Sequence, residues 1–186
     1  AISRAQAVIE FTPKGDILTA NENFLKTLGY QLSEVQGKHH SMFCDQVYTS
    51  SDDYRRFWAR LAGGEFVSDE FMRIGKGGKK VYIQASYNPI FDMNGTVFKV
   101  VKFATDVSER VNNVEQLAGA LQAMSTGDLT QEIRSPFLPA LEKLRVDFNE
   151  TSSKLRSTMQ TISQNAGAIA AASQQIQSAS NDLAKR

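Results

Sequence analysis

The chain is poor in the side chains from which most catalytic and metal sites are built. Of 186 residues, one is cysteine, Cys44, and two are histidine, His39 and His40. A lone cysteine excludes an intrachain disulfide and fits a reducing compartment, so a cytoplasmic location is expected. Two histidines and one cysteine leave little material for a nucleophilic triad or a zinc site. No Gly-x-Ser-x-Gly, Walker-type or His-Glu-x-x-His motif occurs, and an enzyme is not expected. An excess of one charge is also lacking. The 21 Lys+Arg against 20 Asp+Glu leave a net charge of +1, which gives no electrostatic case for nucleic acid or an anionic membrane surface. No stretch reaches the roughly 18 apolar residues of a membrane span, and none has the charged-then-apolar pattern of a signal peptide.

What is present changes rhythm near residue 106. Before it, short β patterns and short helices alternate. Ala7–Phe11 and Ile17–Ala20 read as strands around the turn Thr12-Pro13-Lys14-Gly15-Asp16. Asn21 is placed to cap a helix Glu22–Leu28 that Gly29 ends, and a turn follows at Ser33–Gln36. Helix Ser51–Ala62 gathers Tyr54, Phe57, Trp58 and Leu61 on one face. Three strands close the segment, at Phe66–Gly75, Lys79–Phe91 and Thr96–Thr105. In the middle one Val81, Ile83, Ala85 and Tyr87 alternate with Tyr82, Gln84, Ser86 and Asn88, the mark of a sheet with one buried face. The expected fold is α+β: a five-stranded antiparallel sheet with short helices on one face, followed by a helical region. A cavity between sheet and helices would suit a small ligand.

The last strand pattern, Val100 to Thr105, runs almost without a loop into helical spacing at Val107, Val111, Val114, Leu117, Leu121 and Met124. Asp106 and Ser108 are both good N-cap residues. Such a joint, Asp106-Val107-Ser108, is expected to act as a relay between sheet and helix. After Gly127, apolar residues at Leu138, Leu141, Leu144, Phe148, Leu155, Met159, Ile162, Ala166 and Ile169 run in steps of three and four. Pro136-Phe137-Leu138-Pro139 opens this second helix, with a soft spot at Thr151-Ser152-Ser153. A lone helix cannot bury such a seam, and a second copy is the simplest partner, so a homodimer is expected. The pattern reaches Lys185-Arg186 with no cap, as expected of a piece of a longer protein.

Residues 1–108 resemble a PAS sensor domain. The resemblance is carried by Gly15-Asp16-Ile17-Leu18-Thr19-Ala20-Asn21, Phe24, Gly29-Tyr30, Leu32-Ser33-Glu34-Val35-Gln36-Gly37, Asp69-Glu70-Phe71-Met72-Arg73, Lys76-Gly77-Gly78-Lys79, Asn88-Pro89-Ile90 and the closing Asp106-Val107-Ser108. Within that family, Gly37–Phe43 and Tyr54–Leu61 resemble the FAD-binding domains of aerotaxis transducers and nitrogen-fixation redox sensors. His40 matches a histidine there, and Trp58 sits in the apolar-Trp-x-x-Leu setting. His39 replaces an asparagine. The resemblance implies a cofactor set of His39, His40, Trp58, Phe57 and Asn88. Trp58 would stack on a flavin edge, and His40 would hydrogen-bond a ring or phosphate oxygen. Haem b is the second implied cofactor, with His39 or His40 as the axial metal ligand. No cofactor is the third possibility. Photoactive flavin-thiol relatives hold cysteine where His40 stands, and Cys44 reads as a small buried hydrophobe.

Residues 109–160 resemble a HAMP relay module, through Gly127-Asp128-Leu129, the apolar Ile133 and the Leu138–Leu155 heptads. Residues 161–186 resemble the start of the signalling helix of methyl-accepting chemotaxis proteins, through Ala170-Ala171-Ala172-Ser173-Gln174-Gln175-Ile176. There Gln175 is the better modification target. Together the resemblances imply a soluble chemotaxis transducer of aerotaxis or redox type. A redox, oxygen or small-ligand signal would pass through dimeric helices to a histidine kinase and coupling protein. The alternatives are a cofactor-free dimerisation module, or the sensor segment of a cyclase or histidine kinase.

Overall fold

Strands β1 (Ala7–Phe11), β2 (Ile17–Ala20), β3 (Val67–Ile74), β4 (Lys80–Phe91) and β5 (Val97–Asp106) form one antiparallel sheet in the order β2-β1-β5-β4-β3. The computed structural model describes residues 6–184. These residues fall into two compact units that divide between Val111 and Asn112.

In the first unit the period-2 pattern is realised as expected. Val81, Ile83, Ala85 and Tyr87 of β4 point inward and are buried, and β1 adds Ala7, Ile9 and Phe11 to the same face. Helices α1 (Glu22–Leu28), α2 (Leu32–Val35) and α4 (Asp52–Ala62) cover that face through Phe24, Leu28, Val35, Phe57, Trp58 and Leu61, and α3 (Gln46–Thr49) adds only the partly buried Tyr48. Asn21 starts α1 by accepting the Phe24 N–H at 3.0 Å, and Gly29 ends it in the left-handed region at φ 78°. Ser51 is the cap of α4 rather than its first residue, and its Oγ accepts the Tyr54 N–H. The 3-10 turn His40–Phe43 and the four-residue α3 are too short to leave a periodic signal.

The second unit is built from α5 (Ser108–Ser125), which enters it from the sheet, and α6 (Glu142–Ala184). Between them the chain is extended. Ile133 and Phe137 of this connector are buried with Ala120 and Phe148, against Leu117, Met124 and Leu141. Polar contacts fix the connector: Asn149 bonds both the Ile133 N–H and its carbonyl, and the Leu138 N–H donates to Asn113 at 2.9 Å. The second helix starts at Glu142, not at Pro136. Pro136 lies in non-helical chain, Pro139 sits in a turn closed by the Leu141 N–H on the Leu138 carbonyl at 2.8 Å, and the Phe137 N–H is taken by the Glu142 carboxylate at 2.8 Å. Thr151-Ser152-Ser153 does not interrupt α6. Ser152 is buried there and donates its hydroxyl to the Leu129 carbonyl at 3.1 Å, so the polar residue is a tie to the connector. Lys185-Arg186, where the uncapped end was expected, lie outside the described residues.

Candidate functional site

The inner face of the sheet and helix α4 meet around His40, which is fully buried. The segment before it is pinned to the start of β2. The Ile17 N–H donates to the Lys38 carbonyl and the His40 N–H to the Gly15 carbonyl, each at 2.8 Å. Gly15 is required there. Its φ is +97°, and a Cβ would stand 2.6 Å from His39 Nε2 and 2.9 Å from the Trp58 ring.

His40 is closed in on both ring nitrogens. Nδ1 lies 2.9 Å from the Tyr54 hydroxyl and Nε2 lies 3.0 Å from the Tyr87 hydroxyl. Its ring stacks on Tyr54 at 5.8 Å and meets Trp58 and Phe11 edge-on at 5.3 and 5.4 Å. Burial, with the nearby positive charges of Arg73 and Lys102, holds His40 well below the usual imidazole range, so it is neutral at pH 7. Burial also raises Tyr87, whose phenol is pushed up to about 12. The Tyr87 oxygen accepts from Arg73 Nη2 at 3.1 Å. It can therefore donate its proton to His40 Nε2, which leaves Nδ1–H to donate to Tyr54.

His39 faces another way. A backbone carbonyl only accepts, so the 2.9 Å contact of Nε2 with the Lys14 carbonyl places the proton on Nε2. Nδ1 then accepts from the Ser41 N–H at 3.2 Å and the Ser41 hydroxyl at 2.9 Å. His39, Trp58, Tyr54, Lys14, Pro13 and Ala62 line a cleft of about 380 Å³. The Trp58 indole N–H is buried, with the Tyr54 hydroxyl beside it as an acceptor. Cys44 is buried beside His40, its Sγ 3.7 Å from Nδ1, and burial raises its thiol. That is the environment of an inert core thiol.

The residues expected to hold a cofactor are thus only partly brought together. His39 and Trp58 share the cleft, while His40 and Phe57 lie in the packed core behind it. Asn88 is not with them. It follows Tyr87 by one residue on β4 and so points to the opposite face, where its amide donates to Ser86 and to the Val101 carbonyl. The haem expectation does not fit this arrangement, because every ring nitrogen of His39 and His40 already has a hydrogen-bond partner. A flavin held by all five residues does not fit either, since they occupy a cleft, a core and an outer sheet face. Among the described residues no group of three His, Cys, Asp or Glu could hold a metal ion.

The sequence reading missed two polar residues of this core. Arg73 and Lys102 are almost wholly buried on the inner sheet face. Their signal was the alternation itself, with Arg73 in phase with Phe71 and Lys102 in phase with Val100 and Ala104.

The joint carries specific bonds. The Asp106 carboxylate caps the Ser108 N–H at 2.9 Å. Ser108 Oγ turns back to accept the Tyr82 N–H of β4 at 2.9 Å, and the Val107 N–H donates to the Tyr82 carbonyl at 2.8 Å. Arg110 pairs with Glu70 of β3. Gln175 is exposed on α6.

A family model described as a PAS domain matches residues 6–109. Biofilm dispersion protein BdlA of Pseudomonas aeruginosa is 37% identical over 183 residues, which are 98% of this chain and 43% of that protein. Oxygen sensor protein DosP of Escherichia coli is 27% identical over 116 residues, 62% of this chain and 14% of its own. The chain therefore spans less than half the length of these relatives. A solved light-oxygen-voltage domain, studied with a flavin analogue, is similar in fold with a TM-score of 0.50 at 21% identity. The match covers 64% of this chain and 90% of that one.

Proposed function

We propose a sensory role for this chain, which belongs to the PAS domain family: residues 1–108 receive a signal, residues 109–160 relay it as a HAMP-like module, and residues 161–186 begin a chemotaxis-type signalling helix. The observation that carries the reading is the β5–α5 joint. Strand β5 pairs with β1 on one side and β4 on the other, lends Lys102 to the core, and continues into α5 at Ser108. A change in the core can therefore reach the helix through one continuous piece of backbone. The 37% identity to a biofilm dispersion protein over almost the whole chain supports a behavioural signalling role. The kinase and coupling protein of a chemotaxis array are the partners this reading implies.

The working form is a homodimer. Leu155, Met159, Ile162, Ile169 and Ile176 are exposed along α6 at heptad-compatible spacing, and a parallel second copy would cover them. The input is a small ligand taken up in the core, because the aromatic packing around His40 leaves the cofactor residues unassembled. A flavin is the second reading, favoured by His39 and Trp58, which line one cleft.

Ser173→Cys, made in a Cys44→Ala background, tests dimer and relay together. A disulfide between copies is expected, with a formation rate that changes when Ser108→Ala loosens the joint. No cross-link would refute the parallel dimer, and an unaltered rate would refute the relay. An absorbance spectrum decides the input. Bands at about 370 and about 450 nm assign flavin, and a Soret band at about 400–430 nm assigns haem.

A further inference from the structure

Two basic side chains lie inside the core with no anion beside them, and burial next to Arg73 holds the Lys102 amine well below the usual lysine range. Arg73 of β3 is 3% exposed and Lys102 of β5 is 1% exposed. Neither takes part in any ion pair among the described residues. The groups that act most strongly on Arg73 are Tyr87, Cys44 and Tyr48, those on Lys102 are Arg73 and Cys44, and Arg73 and Lys102 also act on His40; none of these is a carboxylate.

The contacts of the pair are incomplete as well. Arg73 Nη1 donates to the Met72 carbonyl at 2.8 Å and Nη2 to the Tyr87 hydroxyl at 3.1 Å, but its buried Nε–H has no acceptor. Lys102 Nζ stands 4.6 Å from the centre of the Tyr87 ring and 5.8 Å from that of Phe24. Tyr87 and Lys102 are directly opposed across β4 and β5. Two long cationic side chains from different strands thus converge on one phenol. A buried charge without a counter-charge is expensive, and surface lysine or arginine positions would have avoided the cost.

We infer that Arg73, Lys102 and Tyr87 form a receptor for a compact oxyanion, either the carboxylate of a small organic acid or an inorganic oxyanion. The planar guanidinium matches two oxygens of such a group, its free Nε–H included, and Lys102, 4.6 Å from the Tyr87 ring centre, supplies a second positive charge once an anion favours its protonated form. Compactness follows from the surroundings: Phe11, Phe24, Phe57, Phe71 and Val100 already pack this face. Binding would draw on Lys102 and so act on β5, the strand that becomes α5. That consequence rests on the sensory reading above; the site itself does not.

The test is thermal unfolding of the intact chain, followed by Trp58 fluorescence, during titration with acetate, succinate, phosphate or sulfate at ionic strength held constant with chloride. At least one oxyanion should raise the midpoint saturably, and the responding set separates an organic acid from an inorganic ion. Lys102→Met should weaken that anion by about tenfold to a hundredfold, the loss of one charge-assisted contact. It should also raise the midpoint of the anion-free protein, because it removes a buried amine whose protonated form burial disfavours. Arg73→Gln is the second variant and should abolish the saturable shift. The inference is overturned if no oxyanion gives a saturable rise, or if Lys102→Met responds like the parent. Saturable binding that leaves the Ser173→Cys cross-linking rate unaltered would uphold the receptor and refute its role as the sensory input.

Discussion

Replacing Tyr87 by phenylalanine removes one oxygen from the centre of the core. That oxygen lies 3.0 Å from His40 Nε2 and 3.1 Å from Arg73 Nη2, on a fully buried side chain. A neutral buried hydrogen bond contributes about 1 kcal/mol net, and one to a charged group about 1.5–3 kcal/mol. Both bonds are lost while His40 and Arg73 stay where they are. The expected cost is about 3 kcal/mol, in a range of about 2–5 kcal/mol. For a unit of this size it corresponds to a midpoint lowered by about 10–20 °C. The assay is urea unfolding read by Trp58, the only tryptophan, whose ring packs against His40, Phe11 and Phe57. The slope with urea should stay constant while the midpoint falls. Tyr82→Phe, on the opposite face of β4, is the control and should change stability by less than about 0.5 kcal/mol. A Tyr87→Phe loss below about 1 kcal/mol would refute the idea that Tyr87 is the partner on which His40 and Arg73 depend.

Three further outcomes follow from the same contacts. His40 is neutral when folded and titrates normally when unfolded, so the unfolded chain binds the extra proton. Stability should therefore be complete above the unfolded value of about 6.5 and fall below it by up to about 1.4 kcal/mol per pH unit; equal urea midpoints at pH 7 and pH 5 would contradict this. Gly15→Ala places a methyl group 2.6 Å from His39 Nε2 at a positive φ. It should cost about 1–3 kcal/mol and red-shift Trp58 emission, and an unshifted spectrum would show that the turn relaxes freely. Ser152→Val in α6 removes the hydroxyl tied to the Leu129 carbonyl. It should lower the stability of the second unit by about 1 kcal/mol, seen in helical circular dichroism, and leave the Trp58 transition in place.

The elements that local chemistry dictates were legible without coordinates. Alternation along Val81–Tyr87 identified β4 and its buried face. Asn21 and Gly29 bounded α1, and the run from Val100 to Met124 located the strand that passes into a helix at Ser108. Period, cap and turn chemistry are properties of neighbouring residues, so a sequence displays them directly. The start of α6 was misplaced because Pro136, in isolation, also suits a first helical turn, whereas here Glu142 and Asn113 take the N–H groups of Phe137 and Leu138.

The site was decided by tertiary structure. His40 is satisfied by Tyr54 and Tyr87, 14 and 47 residues away, and nothing local to Gly37–Phe43 announces either phenol. The inward phase of Arg73 and Lys102 could have been read from their strands, but not that both converge on Tyr87. That convergence depends on the β4–β5 register that sets Tyr87 opposite Lys102. Asn88 shows the same rule from the other side: one step along β4 moved it out of the site. The sequence determined which faces are apolar and where the chain bends. The pairing of distant strands, with burial under α4, determined which polar groups were left facing one another and which cations were left without an anion.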